Sequence, residues 1–124
     1  MAISSHFGAG RAHDFVEARR YPRYKLETEI CVYPRNSPVI RGCTVDLSES
    51  GISAMLKNEI RLNEVVRLEF SLPAGTVEVL ALARQKNAFR YGFQFFESAP
   101  AQDLIRQTCR QLAIEQSLFG SGSR

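Results

Sequence analysis

This 124-residue chain is poor in the residues from which enzymes build active sites, with two histidines and three cysteines in all. His6 and His13 both lie in a polar N-terminal stretch, outside any H-E-x-x-H or nucleophile–base arrangement, and read as solvated side chains. Cys31, Cys43 and Cys109 are odd in number and widely spaced, with no C-x-x-C pair and no neighbouring histidine to complete a zinc set. They are expected to be buried or half-buried free thiols in a reducing compartment. There is no G-x-S-x-G, no lysine-bearing phosphate loop and no metal set, so neither an enzyme nor a bound cofactor is expected. No apolar run approaches the ~18 residues that span a bilayer, and the opening MAISSHFGAGRAHDF lacks the apolar stretch of a secretory signal. The expectation is a cytoplasmic protein without membrane insertion.

What the chain does contain is enough for one packed domain, with 44% hydrophobic and 23% charged residues over a length that fits a single core. Its net charge of +3 is too small to dictate a nucleic-acid partner by field alone. The kind of charge says more: 13 of the 16 basic residues are arginine, whose planar fork can hold a phosphate or a guanine edge bidentately. Arginine-rich composition also follows from a GC-rich genome, so both explanations stand at this point.

Residues 1–18 mix glycine, serine, alanine and histidine without period and read as an arm, with at most a helical turn around 14–18. Period-two alternation then marks six strands, at 25–33, 39–47, 52–56, 66–72, 76–84 and 89–95. In the first, Leu26, Thr28, Ile30 and Val32 face inward. In the second, Val39, Cys43, Val45 and Leu47 share one face, and in the sixth Phe89, Tyr91, Phe93 and Phe95 do so. Pro73-Ala74-Gly75 is short enough only for a hairpin, and Gly92 suggests a bulge or a close backbone approach. No long crossover is available for parallel pairing, so the fold class is mostly β, a small six-stranded antiparallel barrel closed to remove its edges. Pro100 suits a first helical turn, after which Leu104, Ile105, Thr108, Cys109 and Leu112 recur at helical spacing to about Leu118. This helix should lie across the barrel, with 119–124 a flexible tail.

Two local clusters carry the chemistry. Arg19-Arg20-Tyr21-Pro22-Arg23-Tyr24-Lys25 packs four cations into seven residues without a carboxylate. Pro22 biases Tyr21 away from helix, and in an extended chain Arg19 and Arg23 project to one side about 13 Å apart, a span suited to a ligand with two anionic or guanine-like centres. A solvated basic entry to the first strand is the plainer alternative. In Asp46-Leu47-Ser48-Glu49-Ser50-Gly51, a carboxylate at a strand end is followed by a hydroxyl and then by a glycine that permits a positive-φ turn with exposed backbone N–H groups. A serine-stabilised hairpin turn would explain the same residues.

Together the two clusters are more specific. R-x-x-x-R at Arg19 and Arg23, followed by D-x-S-x-x-G at Asp46, Ser48 and Gly51, resembles the PilZ domain family of bacterial cyclic di-GMP receptors. The resemblance extends over the strand pattern, Tyr91-Gly92-Phe93-Gln94-Phe95 and the closing helix, about residues 18–118. It implies that Arg19 and Arg23, helped by Arg20, clamp the phosphates and guanine faces of cyclic di-GMP, that Asp46 reads a guanine edge, and that Ser48 and Gly51 shape the pocket. Family members often place a stacking side chain near the end of the fifth strand; with no tryptophan in the chain, Arg84 stands there. The implied protein is a stand-alone receptor that signals to an as yet unidentified downstream protein partner by ordering its arginine segment. Two alternatives remain: a PilZ-like adaptor that docks a protein without nucleotide, and a small barrel binding single-stranded nucleic acid, against which the inward aromatics and the lack of a basic stripe argue.

Overall fold

The alternation of the first segment survives folding, but its ladder is interrupted. A computed structural model describes residues 21–120, with side chains through Ser117, so the expected arm at 1–18, Arg19, Arg20 and the end of the tail lie outside the described residues. Where one strand over 25–33 was expected, β1 (Tyr24–Lys25) and β2 (Glu29–Tyr33) both run antiparallel to β3 (Ile40–Leu47). The break has a side-chain cause. The Thr44 hydroxyl accepts from the Thr28 amide at 2.9 Å and donates to the Leu26 carbonyl, inserting itself between the backbone bonds from Leu26 to Val45 and from Thr44 to Thr28. Leu26 still packs on the core, and Ile30 and Val32 are fully buried.

The remaining strands are β4 (Gly51–Leu56), β5 (Val65–Leu72), β6 (Gly75–Asn87) and β7 (Arg90–Phe95). Strands β2, β5, β6, β7, β4 and β3 pair in that order, and β3 returns to β2, which closes a six-stranded antiparallel barrel with β1 as an extra strand on β3. Closure leaves no long unpaired edge in the barrel wall. Inside it, Leu68, Phe70, Tyr91, Phe93 and Phe95 are buried, with the Phe70 and Phe95 rings 6.2 Å apart. The hairpin at Pro73–Ala74 joins β5 to β6, where Gly75 has φ 152°, a conformation disfavoured for residues with a Cβ.

Two inward faces differ from the expected ones. In β3 the core side chains are Ile40, Thr44 and Leu47, whereas Val39 is 44% exposed and Cys43 is exposed. Alternation alone favours Val39, Cys43, Val45 and Leu47 over Ile40, Gly42, Thr44 and Asp46. A register shift between Thr44 and Asp46 against β4 decides the matter, changing the phase so that Leu47 turns inward and Asp46 does not follow Thr44 into the core. Phe89 lies in the turn between β6 and β7 rather than in the strand and is 47% exposed. A second register shift, between Ala83 and Gln85 opposite Gly92 and Phe93, gives the bulge expected near Gly92.

The helix α1 (Ala99–Gly120) runs two residues into the segment expected as tail and packs against β6 and β1 through Ala101, Ile105, Cys109 and Leu112. Burial pushes the Cys109 thiol up to about 12. Near the helix end, the Gln116 side chain donates to the Lys25 carbonyl at 2.8 Å and accepts from the Lys25 amide at 3.2 Å. One glutamine thus serves the outward peptide groups of β1 as a neighbouring strand would.

Candidate functional site

The bulge in β3 sets the site by bringing the Asp46 carboxylate out at the strand end, where it is only 16% exposed. Arg23, just before β1, reaches it because β1 pairs Lys25 with Asp46, and its Nη1 donates to Asp46 Oδ1 at 2.8 Å. The same oxygen accepts from the Ser53 hydroxyl at 2.8 Å, and Oδ2 accepts from Arg90 Nη2 at 3.1 Å. Arg90 opens β7 and arrives through the β4–β7 seam, where its Cα lies opposite Met55. The site is therefore one carboxylate held between two guanidiniums. Both are about half exposed, so each pairing is screened by solvent and can be exchanged at modest cost.

These residues border a cleft of about 540 Å³ whose far wall is the overhanging end of β6, with Gln85 and Asn87 beside Gly92. Lys86 also lines it but is engaged with Glu59 at 3.3 Å, and that carboxylate holds the ammonium above its usual range. A larger depression of about 700 Å³ lined by Pro34, Ile40, Ile60 and Asn63 shares no residue with this cleft. Among the described residues no cluster of three histidine, cysteine or acidic side chains could hold a metal ion.

Ser48 and Gly51 have different surroundings from those expected. Ser48 is 1% exposed, and its hydroxyl accepts from the Ser50 amide at 3.2 Å and the Gly51 amide at 3.1 Å. Those N–H groups are therefore spent on the turn instead of being exposed to solvent. Gly51 is not at positive φ; a Cβ there would lie 2.1 Å from the Phe93 carbonyl oxygen, so close strand approach is what requires glycine. The turn is also tied to α1, as Gln102 donates to the Glu49 carbonyl at 2.7 Å and Arg106 pairs with the Glu49 carboxylate at 3.4 Å. Ser48 and Gly51 thus hold the end of β3 in place without reaching the cleft.

Arg84 stands at the β6 bulge, donates to Gln94 at 2.8 Å and does not line the cleft. A stacking role for it would need Gln94 to release it. Arg90, by contrast, lines the cleft and pairs with Asp46, a placement that sequence reasoning missed. Its only local signal is its place at the start of the Tyr91-Gly92-Phe93 strand, and its nearness to Asp46 depends on barrel closure.

A PilZ domain profile matches residues 17–114, and the chain belongs to the PilZ domain family. No curated protein matches it in sequence. Among solved structures it is similar to the PilZ domain of YcgR from Escherichia coli with c-di-GMP, at TM-score 0.68 and 16% identity over 85% of this chain and 98% of that one. The PilZ domain of CeSA from a cellulose-synthesizing bacterium superposes with TM-score 0.62 and 16% identity, covering 74% of this chain and 98% of that one. The K. pneumonia MrkH–c-di-GMP complex gives TM-score 0.68 and 18% identity over 82% of this chain and 54% of that one. At these identities the structures speak for a shared fold. Among the described residues no helix is long and apolar enough to cross a membrane.

Proposed function

We propose that the chain is a cyclic di-GMP receptor that acts as an adaptor, with no catalytic role. The observation that carries this reading is the pairing of Arg23 with Asp46 at 2.8 Å across 23 residues of sequence, which brings one residue of each motif to the same cleft. Two of the similar structures hold c-di-GMP. In this reading Arg23, with Arg19 and Arg20 from the preceding segment, holds phosphate and guanine faces. Asp46 accepts from the N1–H and N2–H edge of a guanine. Adenine presents a different edge to the carboxylate, so cyclic di-AMP should bind far more weakly.

Signalling follows from the mounting of the two halves. Asp46 sits on a barrel strand, whereas the arginines belong to the segment leading into β1. Ligand that rearranges residues 18–24, drawing Arg23 from Asp46 to itself while Tyr24 stays paired with Leu47, changes the surface offered to a protein partner. Each residue newly fixed costs roughly 1–2 kcal/mol in backbone entropy, which charge-assisted contacts must offset, so affinity should fall with added salt.

Titration calorimetry with cyclic di-GMP tests the reading directly. Arg19→Ala and Arg23→Ala should each cost roughly 2–4 kcal/mol, while Arg35→Ala, in the exposed turn after β2, should cost little. Equal losses at all three would point to diffuse attraction. Absence of binding would leave an adaptor that docks its partner without nucleotide. Hydrogen exchange should show ligand-dependent protection at residues 20–24, with little change in β5.

A further inference from the structure

We propose that Arg90 is a direct ligand contact in this cleft, a further guanidinium that takes an anionic oxygen of the nucleotide and, by moving to it, releases Asp46 for the base. This rests on the cyclic di-GMP reading above and deepens it by adding a contact residue and an order of events. In the structure the carboxylate is already engaged: Oδ1 accepts from Arg23 and Ser53, and Oδ2 from Arg90. An ionised carboxylate has about four acceptor positions, and three are in use. A guanine edge needs two of them side by side. It can dock only if a guanidinium withdraws, and both oxygens are fully cleared of arginine only if Arg23 and Arg90 both do.

A guanidinium leaves a carboxylate readily when another oxyanion accepts its fork. Phosphate oxygens match that geometry as well as a carboxylate does. A ligand carrying phosphodiesters together with guanine therefore performs the exchange in one event: its phosphates draw the arginines off, and its base fills the positions they leave. Guanosine alone offers the arginines nothing in return, so the cleft should respond to the two chemical features only in combination.

Three observations favour Arg90 as a contact over Arg90 as a mere surface partner of Asp46. Its side chain is 49% exposed and borders the cleft, as does the 50% exposed Arg23. Its Cα is paired with Met55 on one side and Asn87 on the other, so the guanidinium swings from a fixed base. Its second hydrogen bond, to Ser53 at 3.5 Å, is long, and the Ser53 hydroxyl keeps its own bond to Asp46 when Arg90 leaves.

The two roles predict opposite signs. If Arg90 only occupies Asp46, removing it unmasks the carboxylate and binding is unchanged or tighter. If it holds the nucleotide, binding weakens. The experiment is calorimetric titration of the full chain with cyclic di-GMP, and separately with guanosine, at low and moderate salt, for wild type, Arg90→Gln, Arg90→Lys and Arg67→Ala. Arg67 lies outside the cleft, over the Tyr33 ring and paired with Glu78, and serves as the control. Circular dichroism confirms that each variant is folded, and Arg90→Lys keeps the charge should Arg90→Gln be lost to misfolding.

Expected are a loss of roughly 10- to 100-fold for Arg90→Gln with a shallower salt dependence, partial recovery in Arg90→Lys, wild-type binding by Arg67→Ala and no measurable heat with guanosine. Wild-type or tighter affinity in Arg90→Gln overturns the inference while leaving the receptor reading intact. Guanosine binding comparable to cyclic di-GMP overturns the exchange. A wild-type protein that does not bind cyclic di-GMP removes the receptor reading, and this inference with it.

Discussion

Replacing Asp46 by asparagine should separate the stability of this domain from its ligand recognition. Asp46 joins β3 to the segment before β1 through Arg23 and to β7 through Arg90, and it accepts from Ser53. Both arginines are about half exposed, so each ion pair contributes about 0.5 kcal/mol after solvent screening. Asparagine keeps one acceptor oxygen for Ser53, but its amide group then meets an arginine donor, a mismatch of about 1 kcal/mol. The summed loss is about 2 kcal/mol. At roughly 4–8 °C per kcal/mol for a domain of this size, the melting temperature should drop by about 8–16 °C without loss of the fold. Binding should suffer more. A guanine edge that met two acceptor oxygens would meet one acceptor and one amide, losing a charge-assisted bond and gaining a donor–donor clash, for roughly 2–4 kcal/mol or about 30- to 1000-fold. Thermal unfolding by circular dichroism and calorimetric titration with cyclic di-GMP measure the two quantities on one preparation. Asp46→Asn binding within about threefold of wild type would refute the assignment of this carboxylate, since a tenfold change corresponds to about 1.4 kcal/mol.

Gly51→Ala should destabilise the barrel by about 3 kcal/mol in urea denaturation, because the new Cβ would sit 2.1 Å from the Phe93 carbonyl and only backbone can yield; an unchanged midpoint would contradict this. Gln116→Ala should speed hydrogen exchange at the Lys25 amide, which then loses its acceptor, while leaving β5 amides alone. Thiol reagents at pH 8 should modify the exposed Cys43 first, the half-buried Cys31 more slowly and Cys109 only on unfolding. Cys109 rises from 9.0 to about 12 in the fold, so its burial contributes stability that is complete below pH 9 and declines as pH rises toward 12. Substitution by alanine should remove that decline from the alkaline unfolding curve, and an identical curve would count against it.

Much of the architecture is local and therefore legible. Alternation placed Ile30 and Val32, Val66 through Leu72, and Tyr91 through Phe95 on buried faces because side-chain direction along a strand has period two wherever the strand pairs. The helical recurrence of Ile105, Cys109 and Leu112 and the Pro73–Ala74 turn were visible for the same reason. The R-x-x-x-R and D-x-S-x-x-G motifs were legible, and Arg23 and Asp46 do meet. In Val39 through Leu47 alternation favoured the face of Val39 and Cys43, yet Ile40 and Thr44 are the buried residues there. The register shift at Thr44–Asp46 against β4 set the phase, and it lies where β3 pairs with β1 and β2 on one side and β4 on the other. The place of Arg90 was hidden in the same way. It reaches Asp46 through the β4–β7 and β3–β4 pairings that close the barrel, a contact between residues 44 positions apart. Gly51 was expected to permit a positive-φ turn, but what requires glycine there is the Phe93 carbonyl on a facing strand and not its own torsion. Sequence determined which segments form strands and helix and which residues carry charge, because those follow from neighbours a few positions away. Tertiary structure alone decided which side chains share the cleft, because closing a sheet on itself brings together residues whose separation along the chain carries no information about their distance in space.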